Sequence, residues 1–241
     1  MVEIVRSGMA YREQQKRQII RTEIEAVNGH ILELGFRFPD LWDHEFLRSL
    51  EQTTAERAHE HFAQETFQQA QKLKQQQHIE HIEQLKEWFL RLAAEGDRNK
   101  AGLTLEKLLN RLFELFGLRP RQPFRVTGEQ IDGSFELDGQ TYLVESKWKK
   151  NALSEAELLI FRGKIEGKST FTRGVFIALD DITGEARDAI TRGKPPSFFV
   201  MNGYDLMMIL SGNISLIDFL QKRRRLLAEE GRVCVPFSEL K

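Results

Sequence analysis

The dipeptide Asp138-Gly139, set between two runs of alternating polar and apolar residues, constrains the fold of this chain more than any other feature. Asp-Gly is a strong signal for a two-residue β-hairpin loop, because both central residues of that turn need positive φ. With Leu137 paired to Gln140, the stretch EQIDGSFELDGQTYLVESKWKK (129–150) acquires a definite register. Asp132 falls opposite Glu145 and Gln130 opposite Lys147, with opposed Cβ atoms about 5 Å apart. One face then reads Ile131, Phe135, Leu137, Tyr142, Val144 and Trp148, a core face. The other sets Gln130, Asp132, Ser134 and Glu136 against Thr141, Leu143, Glu145 and Lys147. A bulge at Gly133 would slide this register by one residue.

Two directly opposed carboxylates destabilise a bare hairpin. A divalent cation between them removes the penalty, and hard cations such as Mg2+ prefer carboxylate oxygens. Lys147, two residues beyond Glu145, projects to the same side. An ammonium there can hold or deprotonate a water beside the cation and offset charge building on a phosphate in the transition state. An isolated Glu-x-Lys on a strand is usually an ordinary surface ion pair. Here the opposed Asp132 and the apolar lead-in Tyr142-Leu143-Val144 point to a site instead.

The hairpin lies in a chain of two different parts. Residues 1–97 carry 12 Lys+Arg against 17 Asp+Glu, and residues 98–241 carry 23 against 19, so a net charge of −1 hides a −5 and a +4 half. A polyanion would bind the second half, although +4 is a modest charge for that. All six histidines lie in the first part. There, Ile20, Ile24, Val27, Ile31 and Leu34 form an amphipathic stripe, which Gly35 and Pro39 interrupt. A second run from about Trp42 to Ala94 contains no proline or glycine, and Ile79, Ile82, Leu85, Phe89 and Leu92 repeat at helical spacing. A polar helix this long packs on another helix, so residues 1–97 read as an antiparallel helical hairpin or a dimerising coiled coil. Phe62, Phe67, Trp88 and Phe89 read as core or interface. The pairs His59 with His61 and His78 with His81 lack a four-ligand set and read as surface residues.

The segment AEGDRNKAG (94–102) marks the expected boundary, and residues 98–241 read as a mixed domain. GLTLEKLLNRLFELFG (102–117) is a helix with Leu105, Leu108, Leu109, Leu112, Phe113 and Phe116 on one face. After the hairpin come a helix over about 153–167, a strand at 173–179 and a helix from Gly184 to Ile190. A strand at 197–201 and helices at 204–210 and 218–230 follow. This alternation predicts an α/β sandwich with a mixed central sheet. Cys234 alone excludes an internal disulfide and a cysteine zinc site and fits a reducing cytosol. The first residues lack a signal-peptide pattern and no apolar run approaches a membrane span, so a cytoplasmic protein is expected. GKIEGK (163–168) does not have the P-loop pattern.

Ile131-Asp132-Gly133, a short strand pair and LVESKW (143–148) together resemble the PD-(D/E)xK motif of restriction-endonuclease-like nucleases, most closely the Mrr-type branch. The helix with Glu106 resembles the first helix of that fold, and RGVFIAL with FFVMNGYDLMMIL resembles its ending. The resemblance covers about 102–212; Ile131 stands where the motif's proline would be, and Glu145 where many Mrr-type members have Gln. It implies a restriction-endonuclease-like α/β/α sandwich, with Asp132, Glu145 and the carbonyl of Ser146 as ligands of Mg2+ (or Mn2+). Lys147 would be the catalytic lysine and Glu106 an auxiliary acid, with Gln130 as the neighbour of Lys147. The implied reaction is phosphodiester hydrolysis on DNA, in restriction or antiviral defence, by a homodimer or with a partner protein docked on the N-terminal helices. RNA, branched or single-stranded DNA, and a non-catalytic scaffold role are the alternatives. Lys149, Lys150, Arg162, Lys164, Lys168 and Arg121 are either phosphate contacts or solubilising charge. Arg223, Arg224 and Arg225 read as a solvated helical face.

Overall fold

The computed structural model describes residues 21–39, 42–45, 54–126, 128–149, 152–180, 182–191 and 195–240. The chain divides into two compact units, Met1–Gln75 and Gln76–Lys241. The boundary expected at 97/98 therefore falls inside the second unit. Helix α1 spans Arg21–Glu33 in the first unit. Of its apolar stripe, Val27 and Leu34 are exposed, while Ile20 and the Ile24 side chain lie outside the described residues. Helix α2 runs Thr54–Ala93. Its Phe62, Phe67 and Leu73 are exposed, whereas Leu85, Phe89 and Leu92 are buried in the core of the second unit.

In the second unit, α3 (Arg98–Leu115) buries the predicted apolar face, with Leu105, Leu108 and Leu112 inaccessible to solvent. Gly117 ends it at φ 71, where glycine carries no Cβ penalty. Gly117 N–H bonds to the Glu114 carbonyl at 2.9 Å and Leu118 N–H to that of Phe113 at 3.0 Å, so the last carbonyls are satisfied. Strands β1 (Phe124–Val126) and β2 (Glu129–Ile131) form a small antiparallel ribbon that the periodicity did not predict. Strands β3 (Gly133–Leu137) and β4 (Gln140–Lys147) form the expected hairpin. Asp138 and Gly139 take φ of 49 and 74, and Leu137 pairs with Gln140 as the turn chemistry requires.

The remainder alternates helix α4 (Glu155–Glu166), strand β5 (Thr172–Ala178), helix α5 (Gly184–Ile190) and strand β6 (Phe198–Asn202). Helices α6 (Gly203–Leu210) and α7 (Leu216–Glu230) and a short 3-10 turn at Phe237–Glu239 close the unit. The sheet order is β3-β4-β5-β6, antiparallel for the first pair and parallel for the others. One face, with Tyr142, Val144, Val175, Ile177 and Phe199, packs on α3, α6, α7 and the end of α2. The other, with Leu143, Phe176, Phe198 and Val200, packs on α4 and α5. This is the three-layered α/β/α sandwich with a mixed central sheet. Both faces being covered explains why the inner strands read as apolar runs rather than clean alternation.

Candidate active site

β4 is buried on both faces, yet its carboxyl end is polar: Glu145, Ser146 and Lys147 follow Leu143 and Val144. Glu145 is 6% exposed, and an ionised carboxylate at that depth needs charged partners. It has two. Lys147 Nζ lies 2.8 Å from Oε1 and Lys164 Nζ, from the last turn of α4, lies 2.7 Å from Oε2. Lys164 also donates to the backbone carbonyl of Gln130 at 2.7 Å.

The predicted register holds from the turn down to Gly133, which pairs with Val144. There the β3–β4 ladder ends. Asp132 lies at a break between β2 and β3, and Glu129, Gln130 and Ile131 pair with Val126, Arg125 and Phe124 instead. Gln130 is thus not opposite Lys147; its side chain is exposed and its carbonyl serves Lys164. Ile131 has crossed to the α4 face, in the cluster with Leu143 rather than with Phe135. Asp132 does not oppose Glu145 in a ladder. Its Oδ2 accepts from the Ser146 N–H at 3.0 Å, one residue along, so the two carboxylates stay neighbours by a different route.

A small cavity beside this point is lined by Glu106 and Asn110 of α3, Arg121, Asp132, Ser134 and Ser146. Burial, with repulsion from Asp132 and Glu145, raises the Glu106 carboxyl to about 7. Asp132 is also raised, by burial first and by Glu145 second, against the Ser146 hydrogen bond that lowers it. Burial pulls Lys147 down, but the bond to Glu145 and the charges of Glu145, Asp132 and Glu157 outweigh it, so its ammonium is held above the usual lysine range. The site therefore combines an excess of negative charge with a firmly protonated lysine.

The donor set suits Mg2+ or Mn2+ chemically. Asp132, Glu145, the Ser146 carbonyl and Glu106 offer hard oxygens only, and the raised carboxyls mark a charge excess that a cation would relieve. Among the described residues no group of three His, Cys, Asp or Glu side chains is arranged so that it could hold a metal ion, so a cation here would draw on backbone oxygen and water as well. Both Glu145 oxygens are engaged by ammonium groups.

This arrangement predicts a pH-dependent effect of Glu106→Gln. The Glu106 pKa in the folded chain lies above that of an unfolded glutamate, so its stabilising contribution is complete below about pH 4.5 and lost as pH rises through about 7. Thermal melting of the metal-free protein should show Glu106→Gln raising Tm relative to the parent at pH 8 and leaving it unchanged near pH 4. An equal shift at both pH values would contradict the account of Glu106.

Other residues singled out from the sequence separate clearly. Arg121 is at the site: its backbone bridges Ser134 and its guanidinium stacks on Phe124 at 4.0 Å. Lys149 is exposed and pairs with Glu157, and Lys168 pairs with Glu129 at 2.8 Å. Arg162 is buried, and its guanidinium donates to the carbonyls of Ile190 and Pro195 and to Glu166, so it ties α5 to α4 rather than facing a ligand. Lys150 lies outside the described residues. The reading of the residues did not place Lys164 at Glu145 or Asn110 beside Glu106; only the packing of α4 and α3 on β4 reveals them.

Comparison with known proteins bears on the same segment. Residues 98–210 match the family model Mrr_cat, described as restriction endonuclease. No curated protein matches the chain. Among solved structures, the protein of unknown function AF1548 is similar at 17% identity and a TM-score of 0.37, over 52% of this chain and 78% of that one. The MspJI restriction endonuclease in complex with a 27-mer oligonucleotide is similar at 14% identity and a TM-score of 0.35, over 65% of this chain and 38% of that one. The segment that carries Glu106, Asp132, Glu145 and Lys147 is thus the one similar to the Mrr_cat restriction-endonuclease family.

Proposed function

We propose that this protein is a Mg2+- or Mn2+-dependent DNA endonuclease that hydrolyses phosphodiester bonds in the restriction of foreign or modified DNA. The observation that carries the reading is the meeting of Asp132, Glu145 and Lys147 at the end of β4, within the matched nuclease domain. Asp132, Glu145 and the Ser146 carbonyl would hold the ion, with Glu106 beside them. When bound, the ion supplies Lewis acidity at the scissile phosphate.

The remaining work falls to the chain's own groups. The negative charge on Asp132 and Glu145 and the half-buried setting fix the orientation of what binds there. Lys147, held protonated by its neighbours, acts as an ammonium: it orients the attacking water and offsets charge on the phosphate oxygens. Arg121, which lines the cavity, and the exposed Lys149, on exchanging its pairing with Glu157, would meet the DNA backbone.

Cutting both strands requires two such centres, and a homodimer supplies them. The exposed Phe62, Phe67, Leu73 and Ile79 of α2 support an association role for the N-terminal helices. No helix among the described residues is long and apolar enough to cross a membrane. The reading is tested by incubating the full chain with Mg2+ or Mn2+ and a panel of supercoiled, linear, single-stranded and branched DNA and RNA. Metal-dependent cleavage of duplex DNA is expected. Cleavage of RNA or branched DNA alone would change the substrate class, and no cleavage of any member would favour a non-catalytic role.

A further inference from the structure

Lys164 first reads as a surface cation in a run of basic residues. Its side chain is instead only 14% exposed, with its ammonium divided between two acceptors: Glu145 Oε2 at 2.7 Å and the Gln130 carbonyl at 2.7 Å. These acceptors belong to the two segments that carry the candidate ligands. Gln130 lies two residues before Asp132, in a ribbon that has left the main sheet. With the ladder ended at Gly133, the pairing of β3 with β4 no longer holds this segment against Glu145. Lys164 makes the cross-link that the ladder does not. Its place in the last turn of α4 suits a cation, because the carbonyl end of a helix is partly negative.

The two ammonium groups on Glu145 are not equivalent. Lys147 is 34% exposed, and its ammonium lies on Glu145 Oε1 at 2.8 Å. Lys164 is the more buried and the doubly anchored one. We propose that Lys164 is a positioning residue of the nuclease centre: it fixes the Glu145 carboxylate and the strand before Asp132, and leaves Lys147 as the ammonium free to turn to substrate. The proposal rests on the nuclease reading above. It also removes Lys164 from the set of phosphate contacts, since an ammonium with both acceptors inside the protein does not face a DNA backbone.

The test compares the full chain with Lys164→Met, Lys164→Arg and Lys147→Met. Each is measured for Mg2+-dependent cleavage of duplex DNA, Mn2+ binding by calorimetry without DNA, DNA binding in chelator, and thermal melting. For Lys164→Met, kcat is expected to fall about 100-fold or more, with KM and DNA affinity within about twofold of the parent. Mn2+ should bind about threefold tighter or more, because a competing positive charge has gone. Lys164→Arg should recover part of kcat. Parent-like kcat with raised KM and weakened DNA binding would make Lys164 a phosphate contact and overturn the proposal. So would parent-like kcat and KM together, or a loss of melting cooperativity and Mn2+ binding in both Lys164 variants. Lys147→Met separates the two levels: an inactive Lys147→Met beside a fully active Lys164→Met defeats only the role given to Lys164. A Lys147→Met protein that cuts like the parent defeats the nuclease centre itself.

Discussion

Replacing Asp132 by Ala should reduce metal-dependent DNA cleavage by about 1000-fold or more, and Lys147→Ala by about 100-fold or more. The two losses have different origins. Asp132 is one of two carboxylates that meet at the end of β4, and without it the ion would be left with Glu145 and a backbone carbonyl. Mn2+ affinity measured by calorimetry should therefore fall with activity. Lys147 is bonded to Glu145 at 2.8 Å and competes with the ion for that carboxylate. Its removal should leave metal binding intact or tighter while the chemical step fails. DNA binding in chelator should be little changed in either variant, because phosphate contacts further from the ion dominate it. Parent-like cleavage by either protein would remove that residue from the centre.

The largest effect on stability is expected far from this chemistry, at Asp205. Arg223 and Asp205 are 1% and 2% exposed, and Arg223 Nη2 lies 2.8 Å from Asp205 Oδ2. Asp205 also accepts from the Asn202 backbone N–H, closing the capping box at the start of α6, and Arg223 Nη1 donates to the Val235 carbonyl. Burial lowers the Arg223 pKa, against the pull of Asp205 that raises it. Asp205→Ala strands a buried guanidinium and should cost about 3–5 kcal/mol. In a unit of this size that is a fall in Tm of roughly 10 °C or more. Replacing both partners, Asp205→Ala with Arg223→Met, should recover a large part of the loss, because the stranded charge is removed as well. Thermal and urea unfolding of the two proteins decide the matter. Equal destabilisation of the single and double variants would contradict the account.

The Asp205–Arg223 pair also shows what the sequence hides. Arg223-Arg224-Arg225 looks like a solvated face, since three consecutive arginines point in three directions around a helix and nothing in the string says which is inward. Only α7 docked beside α6 places Arg223 in the core. Arg162 is hidden in the same way, as its partners Ile190 and Pro195 are distant in sequence. The hairpin was legible because its information is local: Asp138-Gly139 dictates positive φ, the turn dictates the register, and the register runs true for five pairs. It fails at Asp132, where β2 leaves to pair with β1, an event that three-residue strands leave no periodic trace of. Asp132 stays beside the Glu145 segment, on the Ser146 N–H, because moving one residue along a strand does not separate the two segments. Helix boundaries were readable within two residues from α4 to α7, whereas α3 starts at Arg98, four residues before the expected Gly102. The end of α2 was harder to assign. Its apolar repeat at Leu85, Phe89 and Leu92 is visible, but the string does not say that these residues pack with the sheet, as in the 6.0 Å stack of Phe89 on Trp148.

The proposal is geometric at its centre: Asp132 and Glu145 would share one divalent cation at the end of β4, with Lys147 beside it. Crystals of the full chain grown with Mn2+ and duplex DNA, measured for anomalous scattering at the manganese edge, test it most directly. The account predicts an anomalous peak in contact with both carboxylates. A protein that cuts DNA but shows no peak there, with manganese found instead on the histidines of the first 97 residues, would contradict it.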